Sequence, residues 1–317
     1  MNLPAAIGVW AAIVALAALT GMWLGLTGRP YVIALSVAAG LFAFEFFLAA
    51  PRLQDQVKRS LGGAAIIFAP LVPLFAALIY SREVAGDWRT MLAGAAYVVV
   101  PALLLATCAT KAPGTWQDYL AVALIFIPVE FNWLGRLFGY PAQLTHTLMI
   151  LLALSTGVSL FVFARQLDGI GYRIEGGRGF GWNVLLHFAL FAAIAIPVGM
   201  RLGFLIWEPS LARLRSLPIT AMGILFFTAW PEEFLFRGLL QNLLSRSMNN
   251  RWAGLVAASA IFGLSHILHA PYPNWKYVLV ATIAGLFYGH VWMKSGSIFP
   301  GALVHGLVDI SWHILFR

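Results

Sequence analysis

The chain is a succession of apolar runs, each about twenty residues long, which is what an α-helix needs to cross the roughly 30 Å hydrocarbon core of a bilayer. Such runs occur near 4–26, 31–50, 62–80, 90–109, 119–138, 147–165, 183–207, 218–246, 252–269, 276–294 and 297–316. In lipid the backbone must satisfy its own N–H and C=O groups, and strand-like alternation is absent from these runs, so each is expected to be helical. The expected fold is all-α, a polytopic membrane bundle of about 10–11 transmembrane helices. Composition agrees: 61% of the 317 residues are hydrophobic and 10% charged, against roughly 25% charged in a soluble domain. In water such a chain would expose large apolar patches, which excludes the cytosolic, fibrous and disordered classes.

The formal net charge of +8 would suggest nucleic acid in a soluble protein. Here the Lys and Arg residues lie mostly in short loops between apolar runs, where they set topology and meet lipid headgroups. The expected environment is therefore the lipid bilayer, with no nucleic-acid partner. The first run lacks a basic n-region and is too long for a cleaved leader, so it is expected to remain as a span. The one cysteine, Cys108, cannot form an internal disulfide and reads as a small core residue. A Gly-rich, charged stretch, LDGIGYRIEGGRGFGW at 167–182, separates two apolar halves. No strand precedes it and no Walker lysine follows, so it reads as a flexible linker rather than a phosphate loop. Three parts are expected: an N-terminal membrane region over 1–165, the linker at 166–182 and a core over 183–317.

Ionisable groups inside a span are costly and are functional candidates by default. Glu45, Glu130, Glu232, Glu233 and Asp309 fall within apolar runs. Glu45 and Glu130 have no partner in the sequence and read as structural. The other three share the C-terminal half with His266, His269, His290, His305 and His313. In AWPEEFLFRGLLQ, Glu233 and Arg237 are one helical turn apart with the acid first, the favourable order for an ion pair. Glu232 points about 100° away and is not neutralised by that pair. Pro231 weakens the helix beside them. FGLSHI places Phe262 and His266 one turn apart, and HGLVDI does the same for His305 and Asp309. Counted from the turns at 247–250 and 295–296, Glu232 lies about 21 Å in, His266 about 22 Å, His305 about 13 Å and Asp309 about 19 Å. The six residues are therefore expected around one polar cavity. His187, His290 and His313 read as core hydrogen-bonders, and Gly285 with Gly289 as helix packing. Trp23, Trp88, Trp116, Trp182, Trp207 and Trp275 lie near span ends, as interfacial belts do.

Several intramembrane chemistries can be compared with the letters. No histidine is followed by glutamate, so an HExxH zinc site is absent. Asp309 is the only aspartate well inside a span, which excludes a paired-aspartate protease. Ser265 beside His266 would lack a separately placed base. A metal on Glu232, His266 and His305 stays open, since these ligand types suit zinc.

The segments EEFLFR, FGLSH and HGLVD, in this order on successive spans, resemble the three motifs of the CPBP intramembrane protease family, the type II CAAX prenyl endopeptidases and Abi-like proteins. The resemblance covers about 183–317. It implies a glutamate-dependent intramembrane endopeptidase without cofactor or metal, acting on a peptide or protein with a membrane-associated tail. Carried over by motif, Glu232 would activate water with help from His266. Glu233 and Arg237 would orient and charge-balance the site, and His305 and Asp309 would face the developing oxyanion. The CAAX endopeptidases have asparagine where this chain has Asp309, and an ionised aspartate cannot donate a hydrogen bond to an oxyanion; either Asp309 is protonated, or it orients His305 rather than binding the oxygen. Two non-enzymatic readings compete, an immunity or scaffold protein and a proton-coupled transporter. The transporter would carry matched repeats in both halves, whereas the motifs occur only in the second.

Overall fold

The computed structural model describes residues 3–23, 25, 27–60, 68–74, 88–138, 142–174 and 179–317. Among them every extended element is helical, and the one isolated β-bridge joins Trp207 to Phe316. Most of the run expected at 62–80 lies outside the described residues, as does part of the Gly-rich stretch. Among the described residues six helices are long and apolar enough to cross a membrane: Tyr31–Leu48, Trp88–Ala106, Thr145–Ala164, Phe180–Arg201, Leu217–Ser247 and Ile298–Leu315. The chain divides into two compact units, Met1–Asp168 and Gly169–Arg317.

The first unit contains α1 (Leu3–Trp23), α2 (Gly28–Leu48), α3 (Pro51–Ser60), α4 (Trp88–Ala106), α5 (Trp116–Glu130), α6 (Trp133–Phe138) and α7 (Ala142–Gly157). The run expected at 119–138 is interrupted at Asn132, whose φ of 51° is a left-handed conformation that asparagine tolerates. α7 continues as a π-helical turn, Val158–Ala164. In the first turn of α5, Asp118 Oδ2 accepts from the N–H groups of Gly114 and Thr115, each at 2.9 Å. Its Oδ1 accepts from Arg165 Nε at 2.7 Å, and Arg165 Nη2 donates to Lys111 O at 3.0 Å. Burial alone would raise the Asp118 pKa, but these bonds to the charged form outweigh it and hold the carboxyl below its usual value. Glu45 is buried and accepts from Ser155 Oγ at 2.9 Å. Cys108 is buried, its thiol directed at Leu105 O.

The second unit contains α8 (Phe180–Arg201), α9 (Leu211–Arg215), α10 (Leu217–Ser247), α11 (Arg251–Ser265), α12 (Trp275–Ser295) and α13 (Ile298–Leu315). Asn250, Asn274 and Ser297 cap α11, α12 and α13 by accepting from N–H groups of the first turn. Gly285 lets α12 lie on α11, since a Cβ there would come within 3.0 Å of Ser259 Cα. α11 stops at Ser265, short of the run expected to 269, because Pro271 and Pro273 follow and cannot continue a helix. Two short connections, at 248–250 and 296–297, lie at one end of these helices, and the longer ones at 202–210 and 266–274 lie at the other.

α10 departs most from regular geometry. Its turns are π-helical over Leu225–Ala229 and again over Phe234–Gln241, either side of the α-helical Trp230–Glu233. Proline has no N–H and crowds the carbonyl four residues back. A widened turn ahead of Pro231 relieves that crowding without breaking the helix. The segment expected as a flexible linker is fixed at its start. Trp292 Nε1 donates to Ile170 O at 3.0 Å, Ile298 N to Gly171 O at 2.9 Å, and Ser297 Oγ to Arg173 O at 2.6 Å. Tyr172 packs edge-on against Trp230 and Phe234, beside the two glutamates of α10.

Candidate active site

Glu232 and Glu233 are adjacent in sequence but sit in opposite surroundings. Glu233 is fully buried, with Oε2 3.3 Å from Arg237 Nε and Oε1 3.1 Å from His305 Nδ1. Gly301 on α13 makes the approach possible, because a Cβ there would lie 2.8 Å from Glu233 Oε2. Arg237 is buried as well and donates through Nη2 to Gly285 O at 3.3 Å. Its guanidinium lies 4.6 Å from the Phe262 ring centre and 5.3 Å from that of Tyr288, cation–π contacts that offset part of its desolvation.

Glu232 faces the other way. Its side chain is 31% exposed, and Oε2 makes no hydrogen bond among the described residues. His305 joins the two acids: Nδ1 meets Glu233, while Nε2 lies 3.8 Å from Glu232 Oε2 and 3.5 Å from Asp309 Oδ2. Asp309 is 27% exposed, so two carboxylates flank the open side of a buried imidazole. The Tyr288 ring lies flat against His305, with centroids 4.6 Å apart and planes at 18°.

His266 stands apart from this group. It caps the C-terminal end of α11, and its ring touches Phe262 and Tyr277, at 4.9 and 4.4 Å between centroids. Phe262 also packs edge-on against His305 at 5.7 Å, so one aromatic ring separates the two histidines. His266 Nδ1 lies 2.8 Å from Phe262 O. A carbonyl can only accept, so Nδ1 carries the proton and Nε2 the lone pair. The same bond disfavours Ser265 as a nucleophile. Its hydroxyl donates to Phe262 O, and the nearby imidazole atom is the donor nitrogen rather than a base.

The structure therefore gathers Glu232, Glu233, Arg237, His305 and Asp309, and places His266 one ring away. Among the described residues no group of three or more His, Cys, Asp or Glu side chains is arranged to hold a metal ion. His187 and His290 form a separate pair, Nε2 to Nδ1 at 3.0 Å, between α8 and α12. The sequence reading passes over Tyr277 and Tyr288. They are eleven residues apart, about three turns, which puts both on the face of α12 that meets α11 and α13.

Residues 213–311 match the family model described as type II CAAX prenyl endopeptidase, Rce1-like. The matched stretch runs from α9 into α13 and includes all six residues named above. No curated protein and no solved structure matches the chain.

Proposed function

We propose, because residues 213–311 match the type II CAAX prenyl endopeptidase family model and the chain is a multi-pass integral membrane protein, that Glu232 is the base of a glutamate-dependent endopeptidase. The substrate is a membrane-anchored or C-terminally tailed peptide, prenylated or carrying a sorting signal, and the setting is a prokaryotic inner membrane. One observation carries this reading. Of two adjacent carboxylates, Glu233 is fully buried with Arg237 at 3.3 Å and His305 at 3.1 Å, whereas the Glu232 side chain is 31% exposed and its nearest cationic partner, His305 Nε2, lies at 3.8 Å.

The chemistry follows from that division. A water molecule beside Glu232 gives up a proton to the carboxylate as its oxygen bonds to the scissile carbonyl carbon. The carbonyl π electrons move onto oxygen and form a tetrahedral oxyanion. Collapse restores the carbonyl and breaks the C–N bond, and the departing nitrogen takes the proton held by Glu232. Microscopic reversibility lets one carboxyl serve as base and then as acid. His266, with its lone pair on Nε2, assists at the water. Glu233 and Arg237 fix the helix and balance charge, and His305 is held by Glu233 on one side.

The test is co-expression of the wild type or Glu232→Gln with candidate proteins bearing C-terminal membrane-associated tails, read by intact mass. The wild type is expected to release the tail and the variant to leave it. Equal processing by both, or by neither, overturns the reading.

A further inference from the structure

The six residues above include no neutral hydrogen-bond donor for an oxyanion. Glu232, as the base, enters the step ionised and only accepts, and an ionised Asp309 would do the same. Arg237 has Nε toward Glu233, Nη2 on Gly285 O and Nη1 without a hydrogen bond among the described residues, but its side chain is 1% exposed and so lies behind the open side of the site. His305 meets carboxylate oxygens through both nitrogens. Preorganised donors at the developing oxyanion are commonly the largest single contribution to acyl-transfer catalysis. A donor is therefore to be sought at the open side of the carboxylates.

Tyr277, packed on His266, is the candidate. It lies in the first turn of α12, and its N–H is tied to Asn274 Oδ1 at 3.0 Å. Four rings enclose it: His266 at 4.4 Å, Trp312 at 5.1 Å, and Phe204 and His269 each at 5.2 Å between centroids. Trp312 follows Asp309 by less than one turn of α13, so the contacts of Tyr277 with His266 and Trp312 bring it to the end of α11 and to the stretch of α13 that carries Asp309. The Tyr277 hydroxyl makes no hydrogen bond among the described residues. Half-buried and caged, the phenol is held in place while its O–H stays available. Tyr288 differs. It is 1% exposed and lies flat on His305, which makes it a packing partner.

We propose that the Tyr277 hydroxyl donates the hydrogen bond to the oxyanion of the tetrahedral intermediate, the task a carboxamide at position 309 would otherwise perform. The inference rests on the endopeptidase reading above. Tyr277 keeps its proton throughout. The proton abstracted from water travels through Glu232 to the leaving nitrogen, and the phenol contributes only its O–H dipole.

The experiment uses the full chain, purified in detergent, with a tailed peptide that the wild type cleaves in the intact-mass comparison. Tyr277→Phe keeps the ring and its cage while deleting the donor. kcat is expected to fall by about 10²–10³, as for one lost oxyanion donor, with little change in KM. Asp309→Asn supplies an amide N–H at the neighbouring position, so Tyr277→Phe combined with Asp309→Asn is expected to recover part of the lost kcat. A purely structural tyrosine would not be rescued from position 309. Tyr277→Phe turnover within threefold of wild type, with Glu232→Gln inactive, overturns the role of Tyr277 alone. So does a loss that Asp309→Asn leaves in place. Wild-type turnover by Glu232→Gln overturns the protease reading and this inference with it.

Discussion

The two units bury charge in different ways. In the first, Asp118 and Arg165 are each saturated: the acid accepts from two backbone N–H groups and the guanidinium, and the guanidinium also reaches Lys111 O. In the second, three carboxylates share one arginine and one histidine, and the outer two are about a third exposed and only loosely met. Burying charge is costly in both places. The first unit offsets that cost with a closed set of hydrogen bonds, the signature of a structural pair. The second leaves Glu232 with His305 Nε2 at 3.8 Å, a loose pairing in keeping with the proposal that this carboxylate exchanges a proton.

The sharpest test of this contrast is kinetic. Glu232→Gln preserves volume but cannot take a proton, and turnover is expected to fall by the roughly 10²–10⁴ of a lost general base. His266→Ala is expected to cost a comparable factor, and the double variant little more, if the two act as a unit on one water. Losses that multiply in single-turnover measurements would instead make His266 an independent contributor, in keeping with the ring that separates it from His305.

Next in size is the lock behind Glu232. Arg237→Met removes the cation and leaves Glu233 buried with His305 as its remaining charged partner. Breaking a buried pair from one side costs about 3–5 kcal/mol. The expected result is a clear drop in thermal midpoint in detergent, together with loss of activity. A variant that melts like the wild type would show that the pair does not hold α10 in place.

How much of this could be read from the letters depends on what each feature leaves in the sequence. Four-residue spacings were enough to anticipate that Glu233 would meet Arg237 and that His305 would lie beside Asp309, because one turn of helix fixes those neighbours. Apolar run length was enough for an all-helical membrane chain. The π-helical turns of α10 were not legible, because one extra residue per turn has no composition of its own. They alter the rise along α10, so depths counted at α-helical rise were approximate there. The helix end at Ser265 was signalled by Pro271 and Pro273, but hydropathy runs through it. Tyr277 is not legible in the sequence because it meets His266 and Trp312 only through packing of α12, which no local motif encodes.

A smaller effect is expected in the first unit. Asp118→Asn keeps a carbonyl acceptor but removes the charge facing Arg165, a loss of about 1.5–3 kcal/mol for hydrogen bonds to a charged group. The sign with pH follows from the lowered pKa of Asp118. Its contribution is complete above the ordinary aspartate value of about 3.9 and fades as pH falls through the lower folded value. Thermal midpoints of wild type and Asp118→Asn should differ at neutral pH and converge in strong acid. Turnover at saturating substrate should stay at the wild-type level. A large fall in kcat would erase the distinction between the two kinds of buried charge.

The smallest expected effect is the most direct attempt to break the comparison. Glu45 is a buried acid in α2, the kind of intramembrane group that invites a functional reading. Its Oε1 accepts from Ser155 Oγ, a bond that a glutamine carbonyl can also accept. Glu45→Gln is therefore expected to change stability by no more than about 1 kcal/mol, the net worth of one hydrogen bond, and to leave turnover unchanged. Glu45→Leu removes the acceptor and strands the serine, so it should cost more, about 1–3 kcal/mol for an unsatisfied buried donor. That order, glutamine mild and leucine worse, belongs to a hydrogen-bonding acid. A glutamine variant that folds normally yet loses turnover would instead give the first unit an acid with chemistry of its own, and the contrast drawn between the two units would fail at Glu45.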